Sequence, residues 1–598
     1  CTICRVDFSV AHGGLNDCLK HTKTARHLGF AKSTNCEHYD LSEKVTNAEC
    51  LFTAFLVEHN VPLAVADHLS KLFKCTFPDL KVAQKYGKSS HIVKITFLPP
   101  SLEYVLQCVK LQPFALAIDS SSDESQKELV ELVHFFDEQK GKVLAFFDFQ
   151  CTAEATLKAV QETFVKNNIP WENAIAFSSD NASLMLGHHK VFTKIKEQNP
   201  QVWKLGCACH MEHICAQDAA KTLSVSVENF YYFEKSCKRK EELKQFRELC
   251  NVESRKILKH VSTQWLSLGK TLDRLLQQWP ALKSYFSSQS QKDERVRMLN
   301  KSLSSPQCHL YCFLQSVIPI FDKFNLLMQS EVPMVHAIHP AILNLARDLL
   351  GRFLKPVIVR EARDILSVQY ENPEKQKADQ DLYIGFYTKQ YIHFEEMQDD
   401  TECDQYLSQF YKDVRNFYCK ALSSVYKKLP ALDETLKLLT ITDHKNRNTH
   451  IFDDLVSLLE MFPCLKKELD MVKLEEEFIN YQVPDTNALV EGSKEDGSQI
   501  RMDTFWHKIG QIKDPGSGRK NTFVLLLTVM KQLLVLSHSN ADCERVFSVT
   551  RKNRAEACSE LSNVVLKGLL ETKVNMLSDC SCFKWNPSDD LIKKTKSA

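Results

Sequence analysis

Five apolar segments of strand length lie close together between Pro113 and Cys207, and they set the fold class of this 598-residue chain. Their aromatic and β-branched residues favour pleated strands. A helical pattern over 153–165 separates the third segment from the fourth, and Gly141 marks a turn before the third. This order of strands and helices predicts a mixed α/β domain rather than a helical bundle. The five segments are 114–119, 129–136, 143–148, 173–178 and 202–207.

After about residue 222 the pattern is helical almost throughout, so the whole chain is predicted to combine an α/β part with an all-α part. Two loops rich in Gly and Ser, 491–498 and 514–518, precede a C-terminal unit. Apolar helices are predicted there at 523–536 and 559–577, and their apolar faces are either core or a surface for self-association. An earlier amphipathic segment, 48–72, is also predicted to be a helix. The amphipathic stretches after residue 222 are 230–250, 270–286, 309–328 and 338–354.

Composition and charge limit the functional classes. A hydrophobic content of 44% with 25% charged residues is ordinary for a globular protein, and the net charge of +1 means that nucleic-acid binding must come from local patches. The 22 cysteines are scattered, as expected for reduced thiols in the cytosol or nucleus. The longest apolar run, 523–536, is shorter than the ~20 residues of a membrane span. The N-terminus does not resemble a signal peptide, and a start at Cys1 rather than Met predicts a fragment of a longer protein.

Two aspartates follow predicted strands. Asp119 ends the first strand, and Asp180 comes just after the fourth. Side chains just past strand ends project into a shared crevice of an α/β sheet, where two carboxylates can hold a pair of divalent cations about 3.5–4 Å apart. Carboxylate oxygens are the ligands that Mg²⁺ prefers. The alternative is that both acids are turn or cap residues, because serines surround them.

Three separated blocks resemble the hAT superfamily of transposases. The first is Phe-Ala-Leu-Ala-Ile-Asp119-Ser-Ser-Ser-Asp, and the second is Phe177-Ser-Ser-Asp180-Asn-Ala. The third and most specific is Ser537-His-Ser-Asn-Ala-Asp-Cys-Glu544-Arg-Val-Phe-Ser548. The resemblance implies an RNase H-like mixed-sheet core in which Asp119, Asp180 and Glu544 form an Asp-Asp-Glu triad that binds Mg²⁺ or Mn²⁺. Asp542 lies two positions from Glu544, so the two acids point to different faces of a helix, and Glu544 occupies the motif position.

The resemblance covers most of the chain and implies a division into five parts. A BED-like zinc finger is followed by a helical linker or DNA-binding region and by the first part of the RNase H-like core. A large helical insertion interrupts that core, and a C-terminal dimerisation region completes it. The five parts are 1–34, 45–110, 111–222, 223–500 and 501–598.

His210 is a further catalytic candidate. Cys207-Ala-Cys-His210 resembles the Cys-x-x-His motif that follows the second acid of the family, which implies that His210 approaches the scissile phosphate. One alternative is zinc binding by Cys207, Cys209, His210 and His213, although that spacing fits no standard zinc pattern well. The other alternative is a buried histidine with satisfied hydrogen bonds.

Two residues are candidates for DNA contact. Val261-Ser-Thr-Gln-Trp265 resembles the Arg-Trp block of the family, whose Trp is associated with distorted DNA near the cut, and stacking of an unpaired base on an indole is worth about 1–3 kcal/mol. The usual Arg is Gln264 here, and a Trp on an apolar helix face is otherwise an ordinary core residue. Arg545 is expected to pair with DNA phosphate or with a neighbouring carboxylate, or to be a surface charge.

The first 34 residues are basic and rich in Cys and His. A Cys-x2-Cys pair followed by a His-x5-His pair has a spacing close to that of small zinc modules, and a module of about 30 residues needs the ion to fold. In this basic segment it resembles the BED-like fingers that bind DNA at the front of many hAT proteins. Cys18 or His12 are alternative ligands. The predicted zinc ligands are Cys1, Cys4, His21 and His27.

The sequence leaves three functions open. The first is a cut-and-paste transposase that acts as a dimer or higher oligomer on double-stranded transposon ends by two-metal phosphoryl transfer. The second is a domesticated relative that binds DNA, dimerises and regulates transcription without cutting. The third is a nuclease acting on RNA hybrids, to which the finger and the C-terminal block are less suited. A nuclear location follows from a DNA substrate, helped weakly by basic clusters at 238–240 and 551–554.

Overall fold

A computed structural model gives the fold. It describes residues 15–61, 64–87, 98–122, 127–151, 156–180, 191–223, 232–233, 236–258, 265–289, 294–301, 303, 305–396, 403–467, 469–486, 489–490, 493–495, 499–513, 521–553, 563–573, 582 and 584–597.

The predicted mixed sheet is confirmed. Five described strands pair in the order β3-β2-β1-β4-β5. The two antiparallel pairings, β1 with β2 and β2 with β3, form a meander, whereas β1, β4 and β5 are parallel to their neighbours. The strands are β1 (Phe114–Ser122), β2 (Lys127–Asp137), β3 (Lys142–Cys151), β4 (Ala174–Ser179) and β5 (Trp203–Gly206).

The β2–β3 hairpin turns at the predicted glycine. Gly141 has φ +64, a left-handed conformation that glycine adopts without steric cost. Asp137 closes the turn, because its Oδ1 accepts hydrogen bonds from the backbone N–H groups of Gln139 and Lys140, each at 2.9 Å. A Cβ at Gly141 would lie 2.5 Å from the His507 ring, so the hairpin tip packs tightly against the C-terminal part of the chain.

The described helices are numbered in chain order. Those of the N-terminal half are α1 (Leu15–Thr22), α2 (Ala25–Glu58), α3 (Ala64–Thr76), α4 (Lys81–Lys85), α5 (Leu98–Leu111), α6 (Thr156–Asn167), α7 (Val191–Gln198), α8 (Ala208–Ala220), α9 (Cys237–Leu249), α10 (Trp265–Gln277), α11 (Trp279–Gln289) and α12 (Glu294–Lys301). Those of the C-terminal half are α13 (Ser305–Met328), α14 (Ile338–Phe353), α15 (Pro356–Arg360), α16 (Phe386–Glu396), α17 (Cys403–Lys428), α18 (Glu434–Leu438), α19 (Phe452–Met461), α20 (Pro463–Lys466), α21 (Met471–Tyr481), α22 (Met502–Ile509), α23 (Val524–Leu533), α24 (Ala541–Asn553), α25 (Asn563–Glu571) and α26 (Asp589–Ser597).

Helices cover both faces of the sheet. On one face, Leu116 and Ile118 of β1 belong to a core with apolar residues of α5, α6 and α7. On the other face, Ala117 packs with residues of α24 and α25. This alternation follows from the period of two along a strand. The contributions to the second core from β2, α24 and α25 are Val130, Leu132, Cys543, Val546, Phe547, Leu566 and Leu570.

The predicted helical character after residue 222 is confirmed where the chain is described. The strands found there are the two-residue segments β6 (Lys494–Glu495) and β7 (Gln499–Ile500). Helix α8 contacts both α13 and α17, so the helical part packs directly against the element that follows β5. Among the described helices, none combines the length and the apolar character needed to cross a bilayer.

Two sequence predictions for helices change in the structure. The single helix predicted over 48–72 is wrong: α2 ends at Glu58 and α3 begins at Ala64. Asn60 has φ +52, which a continuing helix cannot contain. Helix α2 also extends across residue 34, the predicted end of the finger. In α23 and α25 the apolar faces include buried residues such as Met530 and Leu570, so they contribute to the core.

Candidate active site

Asp119 and Asp180 lie beside each other on neighbouring strands. Asp119 belongs to β1, and Asp180 directly follows β4. The two strands are parallel, and Ile118 is paired with Ser179, so the next residue of each chain segment is an aspartate. Strand β1 continues past Asp119, which the sequence placed at its end. The structure therefore brings the two acids together at the point where β1 extends beyond β4.

Glu544 reaches the same region from α24. Alternation along β1 places Asp119 on the face that also carries Ala117, and Ala117 packs against α24. Glu544 lies in the first turn of that helix, where the helix dipole favours acidic residues. Glu544 is exposed, whereas its neighbour Cys543 is fully buried against the sheet. Glu544 therefore lies on the helix that covers the face of the sheet on which Asp119 stands.

Asn540 connects the segment before α24 to both strands. Its Oδ1 accepts a hydrogen bond from Ser178 Oγ of β4 at 2.7 Å, and its Nδ2 donates to the Ile118 carbonyl of β1 at 3.0 Å. Its backbone N–H donates to Cys207 Sγ at 3.3 Å. The side chain is buried, with 1% of its surface exposed. These bonds attach the segment before α24 to Ile118, which directly precedes Asp119, and to Ser178, which lies two residues before Asp180.

The electrostatics of Asp119 show that the three acids are close. Burial and the nearby Asp180 carboxylate raise the pKa of Asp119 to about 7, and Glu544 raises it further in the same direction. The Ser120 N–H, which donates to Asp119 Oδ1 at 2.8 Å, opposes this rise. Limited hydration likewise raises the pKa of Glu544, although that residue is exposed and two arginines oppose the rise. The three acids therefore repel one another, and nearby arginines offset part of that repulsion at Glu544.

The donor set of this cluster fits hard divalent cations. The site offers carboxylate oxygens, which Mg²⁺ and Mn²⁺ prefer, and a cation would relieve the repulsion that raises the pKa of Asp119. Asp119, Asp180 and Glu544 are the residues that would hold such a cation, which would activate a water or hydroxyl for attack on a phosphodiester.

Asp542 lies on the same turn of α24 but in a different environment. Its Oδ2 is 3.1 Å from His134 Nε2 of β2, and its Oδ1 accepts a hydrogen bond from Arg545. Ser537 Oγ lies 2.9 Å from the other nitrogen of His134. His134 and Arg545 hold the pKa of Asp542 well below its ordinary value, against the effect of burial. The prediction that Asp542 and Glu544 point to different faces of the helix is therefore confirmed.

The rest of the C-terminal block bonds to the end of α13. Ser539 Oγ donates to the Met328 carbonyl at 2.7 Å, and Arg545 Nη1 donates to the Gln329 carbonyl at 2.9 Å. His538 Nε2 lies 3.2 Å from the Ser330 carbonyl oxygen. The motif residues around Glu544 therefore fix α24 between the sheet and the helical part. The sequence alone did not identify these residues as positioning residues. Asn540 and Ser539 are the most buried of them.

Buried thiols line the inner side of the cluster. Cys207, at the start of α8, is 1% exposed, and Cys543 is fully buried. Burial and the nearby Asp119 raise the pKa of Cys543 well above its ordinary value. At Cys207 hydrogen bonds from Cys209 and from the Asn540 N–H outweigh burial and lower the pKa of the thiol. The sequence did not predict that Cys207 and Cys543 lie beside the acids, because only the tertiary fold brings them there.

The structure bears on the zinc alternative for the residues around His210. His210 is partly exposed in the first turn of α8, and its ring lies 6.4 Å from that of His213. The donor atoms of Cys207, Cys209, His210 and His213 do not supply three ligands within 4.8 Å of one another. The alternative of a buried histidine at position 210 is wrong, because His210 is partly exposed; the buried histidine of this helix is His213. The catalytic role of His210 stays a prediction.

The DNA-contact candidates have different outcomes. Trp265 begins α10, and its side chain lies outside the described part of the structure. Arg545 pairs with Asp542 and lies 3.6 Å from Glu331, so of the alternatives the structure shows pairing with a neighbouring carboxylate. Its contact with DNA phosphate stays a prediction.

The finger is described in part. Cys1 and Cys4 lie outside the described residues. His21 lies in the last turn of α1, and His27 lies in the first turn of α2. The two imidazole rings are 5.0 Å apart, edge to face. The N-cap Thr24 between the two helices accepts a hydrogen bond from the His27 N–H at 3.3 Å. The helix break thus brings the two predicted histidine ligands side by side.

Comparisons with known proteins add no family assignment. Neither the scan against protein-family models nor the search of curated proteins returns a match for this chain.

Proposed function

We propose that this chain is a DNA-processing enzyme of the transposase type, with an RNase H-like core and Asp119, Asp180 and Glu544 as its catalytic carboxylates. The observation that carries this proposal is the placement of three acids from distant parts of the sequence: Asp119 and Asp180 lie beside each other on paired strands, and Glu544 lies on the helix that packs against the same face. Burial, and after it the Asp180 carboxylate, raises the pKa of Asp119 to about 7. Desolvated carboxylates that repel one another are typical of functional sites rather than of turns and caps.

Three features of the architecture support this proposal. Two acids follow one another across adjacent parallel strands of a mixed sheet. A long helical part separates the second acid from the third, and α24 returns the third acid to the sheet. The block that most closely resembles the family, 537–548, is also the segment that bonds to β1, β2, β4 and the end of α13.

Each acid has a distinct part in the proposed mechanism. Asp119 and Asp180 form one wall of the site, and Glu544 the other, so that a phosphodiester enters between them. Bound Mg²⁺ or Mn²⁺ supplies activation of a water or DNA hydroxyl and stabilises the leaving oxygen. Asn540 and the Asp542–His134 pair keep Glu544 at a fixed height above the sheet. His210, on the helix that follows β5, is proposed to act on the phosphate side of the site.

Recognition of DNA is proposed for the N-terminal finger, with zinc held by Cys1, Cys4, His21 and His27. Exposed Arg551 lies on the same helix as Glu544, where a cation would attract the backbone of bound DNA. We propose that the chain works in the nucleus as a dimer or higher oligomer, since two transposon ends must be held together.

Cleavage of plasmids that carry candidate terminal inverted repeats tests this function. In Mn²⁺, the unaltered chain is expected to cut at the ends of the repeats. Asp180→Asn and Glu544→Gln each preserve size while removing a charge, and each should lower the cleavage rate by at least about 100-fold. Asp453→Asn, an exposed position in the first turn of α19, is the matched control and should leave cleavage unchanged.

Two outcomes would replace the proposal. Specific retention of DNA without nicking, over several candidate ends, would favour a domesticated regulator that binds and dimerises. Cleavage of RNA–DNA hybrids with no action on DNA ends would favour the nuclease.

A further inference from the structure

The two ends of the described chain meet at the C-terminal end of α2. Cys50 of α2 packs with Leu591 of α26 and with Trp585. The sulfur of Cys50 also lies 3.6 Å from Thr595 Oγ1. Farther along α2, the Glu58 carboxylate accepts a hydrogen bond from the Cys582 N–H at 2.7 Å. From Cys582 to Thr595 the chain therefore passes along α2 from its C-terminal end, at Glu58, back to Cys50.

Helices α24 and α25 reach the same place. Lys573, just after α25, donates hydrogen bonds to the Glu58 carbonyl and to Asn60 Oδ1, each at 2.8 Å. Asn553, the last residue of α24, donates to Asn60 Oδ1 at 3.2 Å. The end of α2 is thus connected both to the C-terminal segment and to the helix that carries Glu544.

Three side chains at this junction converge on one point. One oxygen of Glu58, one ring nitrogen of His59 and the sulfur of Cys582 all lie within 4.8 Å of one another. Among the described residues no other group of three Cys, His, Asp or Glu side chains does so. We propose that Glu58, His59 and Cys582 form a zinc site that is separate from the finger and from the carboxylate cluster.

The chemistry of the three donors selects the ion. Thiolate, imidazole and carboxylate are the ligand types of Zn²⁺, which binds them at about 2.0–2.3 Å in tetrahedral geometry, so small side-chain movements suffice. A thiolate is a poor ligand for Mg²⁺ or Ca²⁺, which prefer oxygen. Cys582 is buried and His59 is exposed, so the fourth position opens to solvent and would hold water.

Local structure prepares these donors for a cation. Glu58 and His59 lie at the C-terminal end of a long helix, where the helix dipole favours positive charge. The His59 ring packs against Phe55, one turn earlier, at a centroid distance of 4.7 Å, which restricts its orientation. Lys573 is the cation nearest to the helix end, but its ammonium group is directed to the Glu58 carbonyl and to Asn60 rather than to the three donors.

The position of the site indicates its purpose. The first turn of α2 carries His27 of the predicted finger, and its C-terminal end would carry two of the three zinc ligands, Glu58 and His59. An ion bound at this end would fix α2 to the segment 582–597 and, through Asn60, to α24. The site is therefore a structural clamp between the N-terminal helix and the C-terminal part of the chain.

Cobalt binding by the full chain tests the proposal. Co²⁺ replaces Zn²⁺ and gives a thiolate-to-metal charge-transfer absorption, which carboxylate-bound Co²⁺ lacks. The finger is first disabled with Cys4→Ser and His21→Ala, so that the remaining absorption reports on the new site. We expect one thiolate-bound Co²⁺ per chain in this background. Adding Cys582→Ser should abolish the absorption, and adding His59→Ala should weaken Co²⁺ binding by about 100-fold or more.

Two further variants separate metal binding from a loss of structure. Glu58→Gln retains an oxygen that accepts the Cys582 N–H but removes the charge, so it should weaken Co²⁺ binding while the circular dichroism spectrum is unchanged. Cys75→Ser, an exposed cysteine of α3, is the matched thiol control and should bind as the background does. An absence of thiolate-bound Co²⁺ in the background, or equal binding with Cys582→Ser, would overturn the proposal. None of these measurements depends on DNA cleavage.

Discussion

Asp542 and Glu544 are two positions apart on α24, yet the protein treats their charges in opposite ways. His134 and Arg545 surround Asp542 and hold its pKa well below the ordinary value of an aspartate. On the side of Glu544, burial and the neighbouring acids raise the pKa of Asp119 to about 7. Asp542 is paired directly with His134 and Arg545, whereas Glu544 belongs to a cluster of acids in which the pKa of Asp119 is raised.

The difference separates a structural acid from candidate catalytic acids. A balanced carboxylate stabilises the fold, because folding brings it toward opposite charge. A cluster of like charges destabilises the fold unless a ligand neutralises it. The two environments also depend on each other, since the bonds of Asp542 and Asn540 hold α24 where Glu544 can approach Asp119. Substitutions at Asn540 and Asp542 should therefore lower the free energy of unfolding, whereas neutralising Asp119 should raise it.

The largest change in stability is expected for Asn540→Ala. The substitution leaves the Ser178 hydroxyl and the Ile118 carbonyl without their buried partner, and together these losses should lower the free energy of unfolding by about 3 kcal/mol. Chemical denaturation measures this change. Asn540→Asp keeps the acceptor for Ser178 but sets a carboxylate oxygen against the Ile118 carbonyl and buries a further negative charge, so it should lose at least as much near neutral pH. Asn480→Ala, at an exposed position of α21, is the control and should change stability by less than about 0.5 kcal/mol.

A smaller loss, about 2 kcal/mol near neutral pH, is expected for Asp542→Ala. The variant removes the carboxylate that pairs with His134 and leaves Arg545 with Glu331, at 3.6 Å, in place of its closer partner. Because the pKa of Asp542 is lowered by folding, its stabilisation is complete above about pH 4, the ordinary value for aspartate, and is lost as the pH falls below it.

The pH dependence provides the check on that interpretation. The difference in free energy of unfolding between the unaltered chain and Asp542→Ala should shrink as denaturation is repeated at progressively lower pH. A difference that stays constant with pH would mean that packing, rather than charge, accounts for the effect. It would also remove the contrast between Asp542 and Glu544.

Part of this site could be predicted from the sequence because it depends on local rules. The apolar pattern of 114–119 and 173–178 located two strands, and the ends of neighbouring strands bring acids together whatever the rest of the fold. The separation of Asp542 from Glu544 follows from the angle between successive residues of a helix. Resemblance, rather than physics, selected Glu544 from among the 75 acidic residues of the chain.

The remainder depends on contacts between distant segments. Nothing near Asn540 in the sequence indicates that its amide bonds to Ser178 and Ile118, because those partners lie in strands far along the chain. The same holds for His134, because its partner Asp542 lies more than 400 residues farther along the chain. Glu58 and His59 were hidden for another reason: the predicted helix over 48–72 continued through the position where α2 ends.

The smallest effect, and the one with the opposite sign, is expected for Asp119→Asn in the presence of a chelator. Because folding raises the pKa of Asp119 to about 7, the folded state of the unaltered chain loses stability as the pH rises from about 4 to above 7. The neutral amide removes this loss. The variant should therefore match the unaltered chain near pH 4 and exceed it by about 1 kcal/mol near pH 8, after allowance for solvent screening.

Adding Mg²⁺ or Mn²⁺ should then reverse the order of the two proteins. A ligand that binds only the folded state stabilises it by about 2.7 kcal/mol at a concentration 100 times its dissociation constant. The unaltered chain should gain this stability and the Asp119→Asn chain should gain much less, because one of the three carboxylates is gone. Thermal unfolding with and without the ion measures both changes. If the chelated Asp119→Asn chain is the less stable one at high pH, then Asp119 is balanced like Asp542, and the two sides of α24 do not differ.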